Sequence, residues 1–126
     1  MTWFEAAHEV LDLYAANEKP SRDLEKAAVK ASLARLVELA PGRAVEVRIP
    51  PHAAVQVIGG TSHRRGTPPA VVECDGRTWL SLATGAMSWH DGLMSGKLHA
   101  SGARSDLSGL LPIPNVPLDY GHTDIP

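Results

Sequence analysis

Six histidines, one cysteine and a pair of adjacent arginines are the side chains of this 126-residue chain with the most chemistry to offer. A metal site needs ligands that converge, and on a helix that means spacing of three or four. His8, His52, His63, His90, His99 and His122 never come at that spacing, and no cluster of Cys, Asp or Glu completes a set. No metal site is expected. Serines and aspartates are plentiful, but no Gly-x-Ser-x-Gly elbow presents a nucleophile, so no hydrolytic triad is expected either. Cys74 closes a short apolar run, which suits a buried, inert thiol better than a nucleophile. Met94-Ser-Gly-Lys97 has the ending of a phosphate loop, but the pattern needs Gly at position 91 and Ser or Thr at 98. Asp91 and Leu98 stand there instead, at a helix-to-strand junction. The reading is of a chain with no catalytic residues and no cofactor. One polar feature is left: His63, Arg64 and Arg65, before Gly66-Thr67-Pro68-Pro69. Two guanidiniums on a glycine-softened backbone suit the carboxylate or phosphate head group of a ligand. The competing reading is a solvated loop whose arginines pair with surface acids.

The elements around these residues carry more information. The chain is 44% hydrophobic and 21% charged with a net charge of −2. That describes one globular domain, 1–126, large enough to bury a core without disulfides or metals. It offers no overall basic field to attract nucleic acid. No apolar run approaches the roughly 20 residues of a membrane span, so no stable membrane insertion is expected. With a single cysteine and no signal-peptide pattern, the expected compartment is the cytoplasm.

Thr2-x-x-Glu5 is a capping box, and Trp3, Ala7, Val10, Leu11 and Tyr14 then share one helical face. Asn17 to Ser21, with Pro20, interrupts. Ser21 caps a second helix, with Asp23 and Glu25 at its positive end. It is expected to run to about Ala40, burying Val29, Leu33, Leu36, Val37 and Ala40, before Pro41-Gly42 stops it. The period then becomes two. Val45, Val47 and Ile49 alternate with Glu46 and Arg48, and Ala53 to Ile58 follows after Pro50-Pro51 as an antiparallel partner. Gly59 to Pro69 is turn-rich, with room for a short edge strand, and Ala70 to Glu73 is a further strand. A helix through Trp79 ends at Gly85. Ser88-x-x-Asp91 opens another, ending near Gly96. Lys97 to Ser101 reads as a strand and Asp106 to Leu111 as a last short helix before Pro112. The proline-rich tail, 113–126, reads as extended.

Ordered along the chain, Ala70-Val-Val-Glu-Cys-Asp-Gly-Arg-Thr-Trp-Leu-Ser-Leu-Ala-Thr-Gly85 and His90-Asp-Gly-Leu-Met-Ser-Gly-Lys-Leu-His-Ala-Ser-Gly102 resemble the sterol-carrier-protein-2-like family. The likeness is to its compact actinobacterial branch, whose loop Arg65-Gly-Thr-Pro-Pro69 also matches. It covers about residues 22 to 112, the core, with residues 1–20 as an added N-terminal helix. The resemblance implies an α+β fold: one four- or five-stranded sheet covered on one face by helices, with an apolar tunnel between the layers. It also implies non-covalent carriage of fatty acids, acyl-CoA esters or sterol-like lipids, with no universal catalytic residue. Two departures from the animal members reduce the room for a tunnel: the strand cut short by Pro50-Pro51 and the added helix.

The function expected on these grounds is non-catalytic binding of an apolar small molecule. Its lining is expected from Leu33, Leu36, Val37, Trp79, Leu82, Trp89, Leu93, Met94, Leu107 and Leu110, with a mouth near Gly102 to Leu111. The alternative is an interaction module with a filled core and no ligand, dimerising through an exposed patch around Trp3, Val10 and Tyr14 on the first helix. A third reading places an enzyme site at His63 and the arginines.

Overall fold

The computed structural model describes residues 1–59 and 70–115. Four helices and four strands follow in chain order: α1 (Trp3–Ala15), α2 (Arg22–Leu39), β1 (Val45–Ile49), β2 (Ala53–Val57), β3 (Ala70–Glu73), α3 (Gly76–Thr84), α4 (Trp89–Met94) and β4 (His99–Ser101). A single 3-10 turn at Ser108–Leu110 ends the series. The helix starts are fixed by side-chain caps, which satisfy amides that have no partner within the helix. At α1 the box is complete: Thr2 Oγ1 accepts from the Glu5 N–H, and the Glu5 carboxylate accepts from the Thr2 N–H. Ser21, Asp75 and Ser88 accept from the amides of Leu24, Thr78 and Asp91 in the same way.

The sheet has the order β2-β1-β3-β4. β1 is antiparallel to β2, with Val47 opposite Val55, and parallel to β3, with Val47 opposite Val72. β4 closes the other side, antiparallel to β3. Alternation along the strands does what period two requires. Val45, Val47, Ile49, Ala70 and Val72 enter one core with Val29, Leu33 and Leu36 of α2 and Trp79, Leu80 and Leu82 of α3. Glu46, Arg48, Val71 and Glu73 take the opposite face. α1 lies across α2 and α3 and buries Ala6, Ala7 and Val10 against them. Its Trp3, Leu11 and Tyr14 are half-buried and pack on the same core.

Two elements differ from the sequence expectation. The last helix, expected over Asp106 to Leu111, is only the 3-10 turn. Asp106 accepts from the Ser108 N–H, and Pro112, which has no N–H to donate, follows before a further turn can form. Leu107 is fully buried all the same and anchors the segment. The strand expected from Lys97 begins at His99, because the Leu98 N–H donates to the Gly92 carbonyl of α4 and not across the sheet. The edge strand considered between Gly59 and Pro69 lies outside the described residues, as does most of the tail.

Candidate functional site

The scattered histidines stay scattered. His8, His90 and His99 are exposed and on different elements, while His52 is buried in the β1–β2 turn. Among the described residues, no three His, Cys, Asp or Glu side chains are placed to hold a metal ion. His63, Arg64, Arg65 and His122 lie outside the described residues. Cys74 is buried, and burial, followed by the charges of Asp75 and Glu73, pushes its thiol from 9.0 up to about 12. Such a thiol carries almost no thiolate near neutral pH.

The ten residues expected to line a cavity part company. Leu33, Leu36, Trp79, Leu82 and Leu107 are all within the close-packed core. The indole N–H of Trp79 donates to Ser32 Oγ at 2.8 Å, and Ser32 donates in turn to the Val29 carbonyl. Val37, Trp89 and Leu110 are half-buried at its margin. Leu93 and Met94, at 41% and 73% exposure, point away from that core.

Around Trp89 the structure opens a cleft of about 410 Å³. Leu82 forms part of its lining, with Met87, Trp89, Leu111 and Pro112 as the other apolar walls and Ser88, His90 and Ser108 as polar points. The local sequence dictates this shape. Gly85 ends α3 in the left-handed conformation, at φ 87°. A Cβ there would stand 3.3 Å from Pro112, so the glycine lets the terminal segment come close. The Ile113 N–H donates to the Ala83 carbonyl at 2.9 Å and holds that segment against the end of α3. Ser88 then starts α4 only three residues after Gly85, turning Trp89 toward the opening. A larger cleft, about 520 Å³, lies between Leu93 and the outer face of β3 and β4. Glu73 and His99 line it, so an apolar occupant there would strand a carboxylate. The cleft at Trp89 has no such carboxylate among its lining residues.

Residues 21–113 match a family model described as a bacterial SCP ortholog. The chain belongs to this sterol-carrier-protein family. No curated protein matches it. The four helices and open mixed sheet are an α+β arrangement consistent with the SCP2-like fold. Within this SCP domain the matched segment begins at the Ser21 cap and ends at Ile113, so it contains the whole sheet and every residue of the Trp89 cleft. α1 lies before it.

Sequence reasoning missed Met87 and Pro112 as cleft residues, while Leu111 falls at the end of the expected mouth. The first belongs to a loop and Pro112 follows the expected helix, where no periodicity assigns a face. It also missed a polar cluster that shares no residue with this cleft. Glu25, in the first turns of α2, accepts a short hydrogen bond from the Tyr14 hydroxyl and lies 2.6 Å from His52 Nε2. Arg77 stacks over the Tyr14 ring, 4.8 Å from its centre. Burial, then the Glu25 hydrogen bond and charge, push the Tyr14 hydroxyl from 10.0 up to about 12. These residues come from α1, α2, the β1–β2 turn and α3, so no spacing in the sequence could bring them together.

Proposed function

We propose that this SCP-family domain binds an apolar small molecule without catalysis, an acyl chain or sterol-like ring system, in the cleft beside Trp89. The observation that carries this reading is the cleft itself. Its volume of about 410 Å³ falls within the range of roughly 300–1,000 Å³ usual for small-molecule sites, and an indole, a thioether, two leucines and a proline stand around it with few polar points. Each methylene removed from water there contributes about 0.8 kcal/mol, so part of an acyl chain suffices for useful affinity. Family membership supports a carrier role. Leu82 and Trp89 are the residues of the expected lining that this site uses; the polar points Ser88, His90 and Ser108 suit a hydroxyl or carboxylate at one end of the ligand. Among the described residues no helix is long and apolar enough to cross a membrane. The apolar face of α1 is already turned into the core, with Ala6, Ala7 and Val10 buried and Trp3 and Tyr14 packed against it, which favours ligand binding over dimerisation through that helix.

A fluorescent fatty acid tests the proposal. It is expected to bind saturably at micromolar concentration, to quench Trp89, and to be displaced by unlabelled fatty acid or sterol. Met87→Trp and Leu111→Trp, each of which adds an indole to the lining of the cleft, are expected to weaken binding at least tenfold while leaving the melting temperature within a few degrees. Absence of saturable binding, or binding indifferent to both variants, would remove the cleft from consideration.

A further inference from the structure

A surface helix ordinarily buries an apolar stripe and turns its polar residues to water. α4 does the reverse. Its one buried residue is Gly92, where a Cβ would stand 3.2 Å from Leu98 and 3.5 Å from Leu82, so the helix meets the core by its smallest side. Its large apolar side chains lie outside: Leu93 is 41% and Met94 73% exposed. At about 100° per residue, Met94 and His90 lie nearly opposite Gly92, with Leu93 and Trp89 on one flank and Asp91 on the other. Packing within the chain gives no reason for that arrangement.

Single exposed apolar side chains are ordinary on a protein surface. These two differ in being neighbours, and apart from Met1 they are the only exposed large hydrophobics among the described residues. They also continue the apolar cleft: Trp89, which lines it, lies one turn before Leu93 on the same side of α4. The area of the patch narrows what covers it. Two side chains fall far short of the roughly 800 Å² per partner that a stable protein interface buries. A lipid surface asks for less, since a few apolar side chains at the head-group boundary give weak, reversible attachment. Glu73, in the cleft behind Leu93, keeps such insertion shallow. Lys97, three residues past Met94, is exposed and joins no ion pair among the described residues, which suits an anionic lipid head group.

We propose that the outer face of α4, centred on Leu93 and Met94, docks this protein reversibly on a lipid bilayer. Docking there brings Trp89 within a helical turn of the lipid, so an acyl chain or sterol moves between bilayer and cleft along one apolar sector of α4. That loading role rests on the ligand reading of the Trp89 cleft; the docking itself rests on α4 alone.

Mixed phosphatidylcholine–phosphatidylglycerol vesicles test the docking with the full chain. Cosedimentation is expected to show binding that dilution reverses. L93S/M94S alters only exposed side chains and is expected to weaken that binding at least tenfold. Its melting temperature is expected to stay within a few degrees, and its binding of fluorescent fatty acid in vesicle-free buffer to be unchanged. A second readout does not depend on that variant. Met94→Cys, labelled with an environment-sensitive fluorophore while Cys74 stays buried, is expected to shift to the blue when vesicles are added. The same label at Lys30→Cys, on the exposed side of α2, is expected not to shift. Wild type that ignores vesicles, or L93S/M94S that binds them equally, would overturn the docking surface. So would dimers of the wild type that L93S/M94S abolishes, which would assign the patch to a second copy of the chain. Vesicle binding without any fatty acid binding would overturn the loading role and leave the docking surface standing. Fatty acid binding without vesicle binding would overturn the docking and leave the cleft standing.

Discussion

Ser32 and Trp79 are both buried, and the Ser32 hydroxyl accepts the indole N–H. Ser32→Ala removes the acceptor and is expected to destabilise the fold by about 1–3 kcal/mol, the usual cost of an unsatisfied buried donor. Urea denaturation reads this as a lower midpoint at unchanged slope. Tyr14 sets a pH dependence at the alkaline end. Its hydroxyl is raised from 10.0 to about 12 in the fold, so between those values the unfolded chain has lost the proton that the folded chain still holds. Stability from this group is therefore complete below about pH 10 and is lost as pH rises through 12. Wild type is expected to lose more stability than Tyr14→Phe across that window. Cys74, raised to about 12 by burial first, is expected to resist a thiol reagent at pH 8 in the native protein and to react at once in denaturant.

At the scale of elements, the bend between α2 and β1 depends on one residue. Gly42 has φ 146°, and a Cβ there would run into the Ile58 carbonyl. That carbonyl accepts from the Ala44 N–H, and the Ile58 N–H donates to the Ala40 carbonyl, so the collision falls on the bonds joining α2 to the end of β2. Gly42→Ala is expected to cost at least about 1–3 kcal/mol from the backbone conformation alone, with the clash in addition, and to lower the melting temperature accordingly. α1 is a different kind of element. It lies before the segment shared with the family, yet Val10 is fully buried beneath it. Removing residues 1–17 uncovers the faces of α2 and α3 that Ala6, Ala7 and Val10 cover, and takes Tyr14 away from Glu25. The truncated chain is expected to melt at a distinctly lower temperature. An unchanged melting temperature would make α1 an appendage that contributes nothing to the core.

For the whole molecule, any ligand that binds only the folded state stabilises it by mass action. At a hundred times its dissociation constant the gain is about 2.7 kcal/mol. A fatty acid in the Trp89 cleft is therefore expected to raise the melting temperature progressively with its concentration. Differential scanning calorimetry with and without fatty acid checks this.

Periodicity and caps were enough to place α1, α2, β1, β2 and β3, because each is decided by a local pattern: a Thr-x-x-Glu box, a helical stripe, an alternation ended by prolines. The ordered words from Ala70 to Gly102 were enough to point to the family. What they could not decide is which apolar residues pack and which line a cleft. Leu33, Leu36 and Leu93 are the same residue type on the expected lining, yet two are sealed in the core and one is 41% exposed. That difference comes from how the helices seat on the sheet and on each other, which is a property of the assembled layers. The Tyr14–Glu25–His52 cluster shows the same limit for polar groups. In sequence these are a stripe residue, a helix-start acid and a stray histidine. Only the meeting of α1, α2 and the β1–β2 turn brings them within hydrogen-bonding distance, because electrostatic contacts act through space over a few ångströms and leave no period along the chain.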